Sequence, residues 1–175
     1  MSRVPAWPQF GRAVVAALIA GLSRHVAFGA GPGWDGVHDR DLSGWEVHLS
    51  PYTYHFQDDP THTNVYLAGL AKVNERGWLG GAAAFQNSFG QPCAYVFGGR
   101  KYLQPWGWER VYWSWTAGII YGYKPPHEDK IWLNKHGFAP GFIPTVGYQV
   151  ARGVSAELAL LGSAGLMFNV AFELK

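Results

Sequence analysis

His55 and Ser88 stand 33 residues apart in a chain of 175, and Asn87 directly precedes the serine. Together they could form an acyl-transfer site. An imidazole with an ordinary pKa of about 6.5 can take a proton from Ser88 or from an acceptor hydroxyl, then return it to a leaving group. The Asn87 amide could donate to a developing oxyanion, or hold the imidazole through its carbonyl. A plainer reading stands beside this one. Ser and Asn favour turns and gather at strand ends, and a histidine in an aromatic stretch such as Tyr54-His55-Phe56 is ordinarily structural.

The elements that would position these residues are read from alternation. From Gly165 onward, Leu166, Phe168, Val170, Phe172 and Leu174 fall on one side of an extended chain. Met167, Asn169, Ala171 and Glu173 fall on the other, so the segment has one apolar face. Trp113, Trp115, Ala117, Ile119 and Tyr121 repeat the pattern around Ser114, Thr116 and Gly118. A sandwich would turn the large set into a core, whereas a membrane barrel would turn it to lipid and keep the smaller set inside. Eight strands are expected, near 45–56, 64–73, 78–87, 93–102, 109–122, 142–150, 154–161 and 165–174. The long connection between the fifth and sixth runs from Lys124 to Gly141. The predicted fold class is all-β, an eight-stranded antiparallel outer-membrane β-barrel.

Composition favours the barrel. Charged residues are 15% of the chain, against roughly 25% in a typical soluble domain. Aromatics reach 16%, and 23 Gly with 11 Pro suit short strands and turns over long helices. A net charge of +2 gives no reason to expect nucleic acid, and the single Cys93 excludes an internal disulfide and a cysteine-based metal cage. Near the N-terminus, Ala13 to Leu22 is an apolar run flanked by Arg3 and Arg12. It is too short for a spanning helix, which needs about 20 residues, and has the length of a signal-peptide core, with Ala27 and Gly29 offering a cleavage site. The expected organisation is a signal peptide over 1–29, a periplasmic segment over 30–44 and the barrel over 45–175.

Strand counting then does something local motifs do not. With both chain ends on the periplasmic side, the first and third strands run outward and deliver His55 and Ser88 to one outer mouth, beside the long loop. Asp58, Asp59 and His62 follow His55, but their spacing matches no known ligand set and no metal site is assigned. Trp106, Trp108, Trp113 and Trp115 fit an aromatic girdle.

These residues resemble the PagP family of lipid A palmitoyltransferases. The likeness is carried in order by Pro51-Tyr-Thr-Tyr-His-Phe56, Gly77-Trp-Leu-Gly-Gly81, Phe85-Gln-Asn-Ser-Phe89, Tyr95-Val-Phe-Gly-Gly99, Thr116-Ala-Gly-Ile119 and the stretch from Pro140 to Tyr148. It runs from about Trp45 to the C-terminus.

The resemblance implies an eight-stranded outer-membrane barrel, with a short amphipathic N-terminal helix, that moves a palmitoyl chain from a phospholipid donor to lipid A. It implies a membrane-embedded monomer without cofactor or metal. His55 matches the family's essential histidine and Ser88 its serine. Asn87 falls where the family usually has aspartate, a departure that bears on rate because an amide can orient an imidazolium but not stabilise it by charge. Gly99, eleven residues after Ser88, matches a glycine at the floor of the acyl pocket; on the residues alone it could equally mark a strand bend. Pro140 and Pro144 would leave ladder bonds unmade and open a lateral path for lipid, or are simply loop prolines. Other functions fit the same fold: a non-enzymatic barrel that binds or passes an amphiphile, or an esterase using the same residues.

Overall fold

The alternation of large apolar with small or polar side chains is converted into eight strands. A computed structural model describes residues 43–57 and 62–174. The expected signal peptide, the periplasmic segment up to residue 42 with any amphipathic helix, and Asp58 and Asp59 lie outside the described residues. The strands are β1 (Gly44–His55), β2 (Leu67–Val73), β3 (Trp78–Gln86), β4 (Pro92–Leu103), β5 (Val111–Tyr121), β6 (Phe138–Ala151), β7 (Val154–Leu160) and β8 (Gly165–Leu174). Each pairs antiparallel with its neighbours in sequence, and β1 pairs with β8 to close an eight-stranded barrel. Closure leaves no free sheet edge along most of the wall, which is what a β-structure in lipid requires.

The two faces divide as the alternation requires. Ser114, Met167 and Ala171 are buried in the bore, whereas Ile119, Tyr121, Phe168 and Leu174 point outward and are exposed. Aromatic rings collect at both ends of the outer face. At the end where β1 begins and β8 finishes, Lys72 Nζ lies 5.3 Å from the Trp45 ring, and the Arg100 guanidinium lies 5.2 Å from Trp78 and 4.9 Å from Tyr102. At the other end Tyr121 and Phe138 pack with centroids 4.6 Å apart. Amphipathic rings and long cations at two levels are the pattern of membrane–water boundaries.

Two strand starts differ from expectation by three residues or more, and both differences matter to the site. β2 begins at Leu67, three residues later than the expected 64. Its ladder with β1 stops at Ser50↔Leu67, where β1 bulges between Leu49 and Tyr52. Pro51 has no N–H to continue the ladder. Beyond it the Asn64 side chain takes over, donating to Pro51 O at 2.9 Å and accepting from Thr53 N at 3.2 Å. β6 begins at Phe138, four residues before the expected 142, so Pro140 and Pro144 lie within a strand. They pair with Ile119 and Trp115 of β5. β7 meets β6 only from Thr145 onward, so Phe138 to Pro144 has a ladder on one side only, the setting in which strand proline is tolerated.

The end of the bore where β1 begins is filled by a polar cluster. Lys101 Nζ is paired with Glu46 Oε1. His48 stands between the carboxylates, with Nδ1 3.0 Å from Glu157 Oε2 and Nε2 3.5 Å from Glu46 Oε2. Tyr112 donates to Glu157 Oε1 at 2.7 Å, over Gly147, where any Cβ would collide with the tyrosine ring. The bore here narrows to a cavity of about 80 Å³ that reaches down to this floor, with Thr116, Thr145 and Asn169 on its walls beside Leu67, Leu79, Tyr95, Phe97, Ile143 and Met167.

Candidate functional site

Four segments meet at the rim where β1 ends and β8 begins. His55, the last residue of β1, stacks obliquely on His62 with centroids 4.6 Å apart. His62 meets the edge of Phe89 at 5.2 Å, and Phe89 is stacked on His127 at 4.3 Å and 13°. Lys130 Nζ lies 5.8 Å from the same phenyl ring. A continuous row of rings thus runs from the end of β1, through the segment before β2 and the β3–β4 turn, to the β5–β6 loop. The strand topology that brings His55 and Ser88 to one mouth also delivers His62 and His127 there.

The row is held by backbone and amide bonds. The Ser88 carbonyl accepts from Thr63 N at 2.7 Å and Thr63 Oγ1 at 3.1 Å, fixing the turn against the residue after His62. Gln91 Nε2 donates to Lys124 O at 2.9 Å and Gln91 Oε1 accepts from Lys124 N at 3.3 Å, which docks the β5–β6 loop on the β3–β4 turn. Within that loop Asn134 Nδ2 donates to Tyr123 O at 2.7 Å and Glu128 O at 2.8 Å.

The predicted residues fare differently. The Ala164 carbonyl beside the His55 ring accepts from Phe56 N at 3.1 Å. His55 Nε2 is buried and has no hydrogen-bond partner among the described residues. A ring nitrogen in this position can carry the lone pair that a general base needs. Ser88 is buried in the β3–β4 turn beside Phe89. Asn87 is fully committed to that turn: Oδ1 accepts from Phe89 N at 3.1 Å and Gln91 N at 2.9 Å, and Nδ2 donates to Gln91 Oε1 at 3.2 Å. It builds the platform for Ser88 and Phe89, and its amide is not left over to orient an imidazole.

Gly99 lies away from the rim, on the bore face of β4 between Phe97 and Lys101. It marks the level at which apolar lining gives way to the polar floor. A Cβ here would collide with the Trp115 carbonyl oxygen and stand 3.0 Å from Thr116 Cα, so the glycine also lets β5 wrap closely. Pro140 and Pro144 lie on the stretch of β6 that lacks a β7 partner. Among the described residues no three His, Cys, Asp or Glu side chains converge as a metal-binding group. His62, Phe89 and His127 are the residues that sequence reading did not assign to the site. The signal available was topological, since His127 belongs to the long loop on the same rim.

No family model matches the chain, and no curated protein does. Among solved structures it is similar to a chain from a study of de novo designed transmembrane β-barrels, with a TM-score of 0.55 and 12% identity over 78% of this chain and 99% of that one. The likeness is one of fold: an eight-stranded barrel of the transmembrane kind.

Proposed function

We propose that this barrel sits in a bacterial outer membrane and moves a palmitoyl chain from a phospholipid to lipid A. The observation that carries the reading is His55 Nε2, buried and without a partner among the described residues at the end of β1. The acceptor hydroxyl attacks the donor ester carbonyl while His55 takes its proton. The tetrahedral intermediate collapses, the acyl–oxygen bond to the donor breaks, and His55 returns the proton to the departing lysophospholipid oxygen. Ser88 positions the carbonyl through its hydroxyl, with no covalent acyl-serine required. Asn87 supports this indirectly by shaping the turn. The two interruptions of the wall, beyond Ser50 on β1 and before Thr145 on β6, provide routes by which lipids reach the bore from the side, with Pro140 and Pro144 at the second. The reaction conserves electrons and needs no cofactor.

The cavity sharpens what the reading demands. At about 80 Å³ it is smaller than the ~150 Å³ engineered cavity that binds benzene. Tyr95, Phe97 or Met167 must therefore rotate for an acyl chain to enter. A second reading, a barrel that binds an amphiphile without chemistry, is favoured by one observation: the Asn87 side chain is spent on the turn. Mass spectrometry of lipid A from cells expressing the wild type, His55→Ala and Ser88→Ala separates the two. Transfer adds one palmitoyl unit in the wild type and in neither variant. An unchanged lipid A profile in all three would leave the binder.

A further inference from the structure

The β5–β6 loop carries an apolar pair that packing within the chain does not explain. Trp132 is 79% exposed and Leu133 56% exposed. Leu133 is held at φ +55°, the left-handed region that a bulky residue enters only at a cost. The loop is nonetheless built. Asn134 ties it to Tyr123 and Glu128, and Lys135 and Phe138 exchange backbone hydrogen bonds of 2.8 and 3.0 Å at its end.

Its two ends rest on the lipid-facing side. Lys124 Nζ lies 4.9 Å from the outward Tyr121 ring, and a Cβ added at Gly137 would stand 3.3 Å from the same ring. The loop that carries the apolar pair thus starts and ends beside the outer aromatic band formed by Tyr121 and Phe138. Lys130 and Lys135 flank it and are exposed, as is Lys124; Glu128 and Asp129 lie on the loop's earlier turn. A tryptophan and a leucine between lysines, next to a lipid-facing band, match the chemistry of an anionic bilayer surface: rings and alkyl groups enter the interface while ammonium groups meet headgroup phosphates.

We propose that Trp132 and Leu133 insert into the anionic lipid surface around the barrel, making the β5–β6 loop an interfacial anchor beside the unpaired edge of β6. The inference is independent of catalysis and holds for an enzyme or a binder.

The test uses the full chain folded into vesicles of phosphatidylcholine, with or without phosphatidylglycerol. The emission of Trp132 is obtained as wild type minus Trp132→Phe, an exposed site whose change leaves the barrel intact. Expected is blue-shifted emission that loses more than half its intensity when the acyl chains are brominated and resists iodide. Quenching should increase with phosphatidylglycerol, and that increase should fall in Lys130→Gln/Lys135→Gln, each lysine near an anionic surface being worth about fivefold in partitioning. Water-like emission that iodide quenches in both vesicles would overturn the proposal. So would emission shielded from iodide yet untouched by bromine, which would mean that a protein surface, not lipid, covers the pair.

Discussion

Replacing Lys101 by Met tests whether the polar floor is an electrostatic unit. Met keeps most of the aliphatic stem, so the change removes charge more than packing. Lys101, Glu46 and Glu157 are all buried, and Lys101 is paired with Glu46 while its ammonium sits 4.4 Å from the Tyr112 ring. The variant leaves two carboxylates in the bore with His48 as the only other basic group bonded to them among the described residues. Removing one partner of a buried pair costs about 3–5 kcal/mol, most of it the stranded charge. Urea unfolding from vesicles, followed by tryptophan emission, should therefore show a loss in that range. The companion variant Lys101→Met/Glu46→Gln removes the stranded charge and should recover most of it. A single-variant loss below about 1 kcal/mol, the level of an exposed pair, would refute the argument. A double variant no more stable than the single would refute it too.

The β3–β4 turn makes a graded prediction: Asn87→Ala strands the N–H groups of Phe89 and Gln91 and should lose about 1–3 kcal/mol, whereas Asn87→Asp keeps both of those bonds, gives up only the donation to Gln91 Oε1, and should lose less than Asn87→Ala. In lipid A profiles Asn87→Asp should retain transfer while Asn87→Ala loses it. Gln91→Ala removes the bonds that dock the β5–β6 loop and should speed amide exchange at Lys124 while leaving the β4–β5 ladder unchanged. Gly99→Ala should cost about 1–3 kcal/mol through collision with β5, read by the same urea assay. Gly99→Met, where it folds, should shorten the acyl chain transferred; an unchanged chain length would count against a pocket floor at this position.

What the sequence disclosed depended on whether the signal was periodic. Phe168 and Leu174 against Met167 and Ala171 could be assigned to faces from alternation alone, and the structure turns them to lipid and bore as expected. The start of β6 was hidden because Pro140 reads as a strand breaker, and only the missing β7 partner makes it tolerable. The row from His55 to His127 was half visible: counting strands brings their segments to one rim, but ring contacts between loops leave no local pattern. Asn87 was legible as a turn former, and the turn is where its side chain is spent. The polar floor went unread although its members sit within expected strands. Alternation puts Glu46, Lys101 and Glu157 on the small-residue face of their strands, unlike the outward Lys72 and Arg100, so they could have been grouped on that ground.

β2 and β7 have seven residues each, against twelve in β1 and fourteen in β6. A tilted seven-residue strand covers about 18 Å along the bilayer normal, well short of a hydrocarbon core of about 30 Å. The hydrogen-bonded wall is therefore short on two sides, and a bilayer that meets it there thins or the barrel leans. Lipid beside a thinned stretch packs with poorer chain order than bulk lipid, so drawing one out of the leaflet costs less where the ladder is shortest.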